Sequence, residues 1–220
     1  MKHIFFSILS FFLFSQCQEA PPPPKHTLQC YARFDAAGRK VKAEATLRDG
    51  VSNQVIDIPG GIQFQGTAMK ALPVHGITFS LEYPAAHTKT VDYEWTNAAG
   101  KKGLFQMDMP AIDSFFFDKE PLSLKNSAYL QWVGKALNPS ETLVFMWEKA
   151  DGSATTPMEV STTLGKPLIE IPAAKLGQLG AGEWNLYLVR KLSGKADNPD
   201  YAIQYAAEYY TKTRKIRIED

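Results

Sequence analysis

Thr27-Leu28-Gln29-Cys30-Tyr31-Ala32-Arg33-Phe34 and, shortly after it, Val41-Lys42-Ala43-Glu44-Ala45-Thr46-Leu47-Arg48 decide the fold class. In the first run Leu28, Cys30, Ala32 and Phe34 alternate with polar or mixed residues; in the second Val41, Ala43, Ala45 and Leu47 do the same. A period of two is that of a strand with one buried and one solvated face. Asp35-Ala36-Ala37-Gly38-Arg39 between the runs supplies turn residues, so together they predict an antiparallel hairpin.

Working outward, the same pattern returns. Ile77, Phe79, Leu81 and Tyr83 are in phase, as are Val91, Tyr93 and Trp95, and then Phe105, Met107 and Met109 after a turn at Asn97 to Gly103. Val55 to Ile58 and Ile62 to Ala68 are separated by Pro59-Gly60-Gly61, which predicts a sharp bend. Beyond Pro110 the predicted strands are Ile112 to Phe117, Leu122 to Leu124, Ala128 to Val133, Thr142 to Lys149, Met158 to Thr162, Leu168 to Ile171, Glu183 to Leu192 and Tyr205 to Ile218. Both parities of Leu143-Val144-Phe145-Met146-Trp147 are apolar, so this is expected to be a central strand buried on both faces. Only Ala173 to Leu179 reads as helix, of one or two turns. The expectation is an all-β chain of two antiparallel β-sandwich domains in tandem, residues 27–110 and 111–220, with a single larger sandwich as the alternative.

Composition fits a folded chain and narrows its partners. Of 220 residues, 45% are hydrophobic and 21% charged, with 24 Lys plus Arg against 23 Asp plus Glu. Such a balance offers no basic excess for a phosphate backbone and argues against nucleic acid as a partner. Two cysteines, Cys17 and Cys30, are too few for a disulfide scaffold or a four-cysteine zinc site. Cys30 is in phase with Leu28, Ala32 and Phe34 and is expected to be a small buried hydrophobe.

The N-terminus carries an address. After Lys2, the stretch Ile4 to Phe14 is apolar apart from two serines, too short to span a bilayer, which needs about 20 helical residues. Residues 1–16 therefore read as a cleaved signal peptide. Leu13-Phe14-Ser15-Gln16-Cys17 resembles the bacterial lipobox, although Gln16 departs from the small residue preferred before the cysteine. The resemblance implies lipidation of Cys17 and a membrane partner reached through that lipid. A cut after Ala20, the rival site, would place Pro21 directly after the scissile bond. Residues 17–26, with Pro21 to Pro24, read as the lipidated cysteine and a stiff extended spacer. The expected location is a bacterial cell envelope, with the outer membrane as the holding surface.

In the second half, Leu179-Gly180-Ala181-Gly182-Glu183-Trp184-Asn185-Leu186-Tyr187 resembles the approach to strand F of immunoglobulin and fibronectin type III domains. There Trp184 takes the place of the corner tyrosine and Leu186 that of the second core cysteine. The chain lacks the inter-sheet cysteine pair, so the resemblance implies architecture and not an antibody-type domain. Such sandwiches host adhesion, scaffolding and ligand binding alike.

Chemistry is sparse. His26, His75 and His87 stand in no metal-ligand spacing, so no metal or other cofactor is expected. Gly152-Ser153 lacks the second glycine of a nucleophile elbow. Asp92 and Glu94 share one strand face but alternate with Val91, Tyr93 and Trp95, as an ordinary solvent side does; Asp108 and Asp113 are too few oxygens for calcium. Catalytic residues are therefore not expected. Trp95, Trp147 and Trp184 are in phase with core positions, whereas Tyr201, Tyr205, Tyr209, Tyr210 and one ring of Phe115-Phe116-Phe117 are candidates for an exposed platform. Lys212, Arg214, Lys215 and Arg217 read as charges guarding a sheet edge. The functional expectation is a lipid-anchored, non-catalytic binding or scaffold module with a protein or glycan ligand. The alternatives are a carbohydrate-binding accessory lipoprotein and, less favoured, an envelope hydrolase.

Overall fold

A computed structural model describes residues 25–73, 77–97, 99–160 and 165–220. The first half contains β1 (Thr27–Asp35), β2 (Lys40–Arg48), β3 (Val55–Ile56), β4 (Ile62–Phe64), β5 (Thr67–Ala68), β6 (Lys70–Pro73), β7 (Ile77–Pro84), β8 (Thr90–Thr96) and β9 (Lys102–Asp108). After Pro110 come β10 (Ser114–Phe117), β11 (Leu122–Ser123), β12 (Ala128–Val133), β13 (Glu141–Lys149), β14 (Thr155–Val160) and β15 (Leu168–Ile171). The helix α1 (Ala173–Leu176) then leads to β16 (Gly182–Asp197), β17 (Ala202–Tyr210) and β18 (Arg214–Glu219). The chain is all-β, as its alternation predicts.

The opening hairpin forms in the expected register, from Leu28 opposite Leu47 to Phe34 opposite Val41. Its inward residues Leu28, Cys30, Ala32, Ala43, Ala45 and Leu47 are almost wholly buried. Asp35 builds the turn by accepting the backbone N–H groups of Ala37 and Gly38 at 2.9 and 3.1 Å. The bend after Ile58 uses Gly60 and Gly61 at φ 82° and 76°, a region that side chains with a Cβ disfavour.

Among the described residues the strands form three sheets. The large one has eleven strands, with the path β11-β18-β16-β17-β1-β2-β7-β6 and with β13, β14 and β3 attached beside it. The others are β5-β4-β8-β9 and β10-β12-β15. Both pack on the large sheet. The Tyr93 hydroxyl of β8 donates to the Tyr31 carbonyl of β1, and Phe105 of β9 lies 5.3 Å from Tyr205 of β17. On the same face of the large sheet, Phe117 of β10 sits 6.2 Å from Trp147 of β13.

The hydrogen-bonded ladder crosses the boundary expected at Pro110. β16 pairs β13 through Trp184–Leu192 and β17 through Val189–Asp197. β17 in turn runs parallel to β1, from Ala202 beside Thr27 to Tyr210 beside Asp35. Residues from the end of the chain thus complete the layer formed by its beginning. Side chains follow: the Asp200 carboxylate accepts from Trp95 Nε1 at 3.1 Å and Asn97 Nδ2 at 2.8 Å. A parallel partner far along the chain leaves no local trace comparable to a hairpin turn.

Two expectations about single strands change. β13 is central, between β14 and β16, but of its apolar run Leu143 to Trp147 only Leu143, Phe145 and Trp147 are buried; Val144 and Met146 stand half-buried on the open face. The run predicted from Tyr205 to Ile218 divides into β17 and β18 at Thr211. That buried threonine accepts the Leu188 N–H on its hydroxyl at 2.9 Å and donates its own N–H back to the Leu188 carbonyl at 2.9 Å, where β16 changes partner. Aromatic rings also lie over cross-strand glycines. Trp95 stands opposite Gly103 and Tyr205 opposite Gly194, and a Cβ would fall 2.2 Å from the indole at Gly103 and 2.6 Å from the phenol ring at Gly194.

Candidate binding faces

The outer face of β10-β12-β15 holds the strongest surface feature. Within the triple phenylalanine, Phe115 and Phe117 point into the core and Phe116 points out. Strand register sets Phe116 opposite Gln131 and Gln131 opposite Leu168, with Tyr129 and Val133 two residues to either side of Gln131 on the same face. Phe116, Tyr129 and Val133 are 43%, 39% and 49% exposed. The other exposed large hydrophobics, Val51, Leu72 and Leu104, lie apart on a turn, on β6 and on β9. Apolar exposure is ordinary when scattered and informative when gathered on one face. Behind this face Arg214 donates to the Phe115 carbonyl at 2.8 Å and pairs with Glu120 at 3.1 Å.

A second aromatic group occupies the open face of the large sheet. The Glu208 carboxylate accepts the hydroxyls of Tyr31 at 2.8 Å and Tyr210 at 3.1 Å and meets Lys191 at 3.3 Å. Arg33 sits over the Tyr210 ring at 5.3 Å, and Tyr187 stacks on that ring at 6.2 Å. Burial first, and then the negative charge of Glu208, push the Tyr31 and Tyr210 phenols above their ordinary range. These polar groups answer one another, so the cluster closes on itself.

The C-terminal tyrosines do not form an exposed row. Tyr201 and Tyr209 are buried, the first against Trp95 and the second against Phe34 and His87. Tyr205 covers Gly194, and Tyr210 belongs to the Glu208 cluster. The three tryptophans expected in the core, Trp95, Trp147 and Trp184, are there. Trp184 Nε1 donates to the Gly180 carbonyl at 3.2 Å, the bond back to upstream backbone that a corner tyrosine makes.

The residues weighed for chemistry have local roles. His87 places Nε2 at 2.9 Å from the Met109 carbonyl and its ring edge against Phe34 and Tyr209. His26 accepts the Gly50 N–H at 3.1 Å and lies 3.3 Å from the Asp49 carboxylate. Asp92 accepts the Gln106 side-chain amide at 2.8 Å, and Asp113 donates its N–H to the Val133 carbonyl. Among the described residues no three His, Cys, Asp or Glu side chains gather as metal ligands, and no helix is long and apolar enough to cross a membrane. Cys30 is buried, and that burial pushes its thiol well above the ordinary range. Cys17 and His75 lie outside the described residues. Of the C-terminal cations, Arg217 pairs with Glu219 at 2.9 Å, on a strand flanked on its outer side only by the two-residue β11.

One pair escaped the sequence reading. Arg190 and Glu141 are buried together, with Nη2 2.7 Å from Oε2. Arg190 also donates to the carbonyls of Ala111, Lys135 and Ala136, while Glu141 accepts the Asn138 N–H at 2.8 Å. The signal was present as parity: Arg190 is in phase with Trp184, Leu186, Leu188 and Leu192, and Glu141 with Leu143, Phe145 and Trp147.

No family model and no curated protein matches the sequence. Among solved structures, the chain is similar to murine CEACAM1b at 10% identity and TM-score 0.26, covering 87% of this chain and all of that one. It is also similar to the native conformation of Escherichia coli alpha-2-macroglobulin at 13% identity and TM-score 0.27, spanning 87% of this chain and 14% of the other. Fibronectin(III)-like modules of Clostridium thermocellum CbhA align at 11% identity and TM-score 0.24, over 84% of this chain and 89% of theirs. At such scores the likenesses identify neither a family nor a function.

Proposed function

We propose that this is an exported, lipid-anchored protein of a bacterial cell envelope that works by binding and not by catalysis. The observation that carries the binding half is the gathering of Phe116, Tyr129 and Val133 on one flat sheet face. An exposed apolar group of that kind has a cost in water that a ligand relieves. The anchoring half rests on the signal-like residues 1–16, Cys17 and the proline-rich spacer. Membrane fractionation of cells carrying Cys17→Ser tests it. The expected result is unprocessed precursor and loss of the mature form from the membrane fraction; unchanged processing and attachment would overturn the lipid anchor.

A polysaccharide ligand is the second reading, favoured by one feature of the same face. Phe116 and Tyr129 sit on neighbouring strands with the Gln131 amide beside them. Flat rings take the C–H face of a sugar, and an amide takes its hydroxyls. Cosedimentation with purified peptidoglycan sacculi and with cellulose tests it. Retention lost in Phe116→Ser and Tyr129→Ser supports a glycan, whereas no retention of the unaltered protein on either retires it.

A further inference from the structure

A free strand edge in a folded protein is an open row of backbone donors and acceptors, and proteins blunt such edges by shortness, proline or charge. Here β5, β3 and β11 have two residues each and β10 and β15 four. β6 ends in Pro73, β14 carries Pro157, and the free part of β18 carries Arg214, Lys215 and Arg217. The unpaired run of β16 after Leu192 begins under Ser140, whose carbonyl takes the Ser193 N–H. β9 is different: seven residues, no proline, paired only to β8.

The side on which β9 is open follows from its bonds. Asn198 Nδ2 reaches the Leu104 carbonyl from outside the ladder at 3.2 Å and takes one of that oxygen's two lone pairs; Leu104 and, by alternation, Lys102, Gln106 and Asp108 therefore direct their backbone groups away from β8. Alongside runs a groove of about 590 Å³ lined by β9, by Leu192, Ala196 and Tyr205 and by the turn Asn138-Pro139-Ser140, and this is the space a docking strand would enter.

The strand is also complementary to itself. Two copies of Lys102-Gly103-Leu104-Phe105-Gln106-Met107-Asp108 laid antiparallel about Phe105 set Lys102 opposite Asp108 of the second copy, twice. They likewise set Leu104 opposite Gln106 of the second copy, and these are the residues whose N–H and C=O groups face outward. Charge, parity and backbone bonding agree on a single register. We propose that a second copy of this chain docks on β9, joining the two four-stranded sheets through a two-fold antiparallel pairing.

Sedimentation equilibrium of the full chain in a neutrally buoyant detergent tests this, with circular dichroism as a check on folding. The unaltered protein is expected to dimerise in the micromolar range. Asp108→Lys sets lysine against lysine at both ends of the pairing and should weaken the dimer by about tenfold or more. Lys102→Asp combined with Asp108→Lys only exchanges the charges and should restore it, which separates docking from misfolding. Gln106→Pro removes a bonding N–H and should give monomer. A protein that stays monomeric at about 100 µM overturns the proposal. So does a dimer indifferent to Asp108→Lys and Gln106→Pro, and an edge that captures only a different polypeptide would appear as the first of these results.

Discussion

Arg190 and Glu141 each lie almost fully out of water, and two charges so placed are held by each other and by backbone. Arg190 gathers the carbonyls of Ala111, Lys135 and Ala136, so the segment just past Pro110 is fastened to the turn before β13 and to the middle of β16. Removing one member leaves the other charged in a low-dielectric site, which costs about 3 to 5 kcal/mol in comparable pairs. Arg190→Met and Glu141→Gln should each lower urea-unfolding stability by about that amount, and by less for Glu141→Gln because the amide still accepts a bond. Arg190→Met with Glu141→Leu should recover part of the loss. Recovery stays incomplete because the three carbonyls lose their donor. Equal losses in the double and single variants would mean that the carbonyl contacts, and not the ion pair, carry the energy.

Among the elements, the β8–β9 pair depends on what is missing from one residue. Gly103 lies directly opposite Trp95, and a Cβ there would stand 2.2 Å from the indole Cε2. Gly103→Val should therefore push the indole aside, break its bond to Asp200, and cost about 1 to 3 kcal/mol by overpacking. The check is a chemical unfolding curve together with a red-shifted tryptophan emission; an unshifted emission would place Trp95 elsewhere in solution. The contact of Trp95 with Gly103 was not legible in the sequence, which marked Asn97 to Gly103 as the turn between two alternating runs. What could be read were strands whose two parities differ, such as β1, β2 and β8, because burial on one side alone writes a period of two. In β13 the parities do not differ, and Val144 and Met146 proved to be apolar residues on a half-covered face. The outward ring of the triple phenylalanine was legible for the same reason. The outward direction of Tyr129 and Val133 follows from the parity of Leu130 and Trp132, whereas the more conspicuous Tyr201 and Tyr209 are absorbed by the core.

At the scale of the molecule, a cut at Pro110 separates residues that share one ladder. Nine residues of β1 lie beside nine of β17, and the inner rings interlock as well: Phe34 with Tyr209, Trp95 with Tyr201, Phe105 with Tyr205. Long-range pairing of this kind is where reading along a chain fails, since neither partner carries a mark of the other and composition changes little at Pro110. A fragment of residues 25–110 would keep the β1–β2 hairpin and the β8–β9 pair but would lose β17, leaving the whole outer edge of β1 unpaired and the faces of Phe34, Trp95 and Phe105 open to water. Burying those aromatic faces is worth several kcal/mol, of the order of a small domain's entire stability. The fragment is therefore expected to be unfolded or aggregated alone, with poor amide dispersion in NMR spectra. Mixing it with residues 111–220 should restore dispersion if β17 can find β1 from a separate chain. Cooperative melting of 25–110 by itself would mean the opposite, that β17 is an addition to a layer already complete and that Pro110 does divide two independent units.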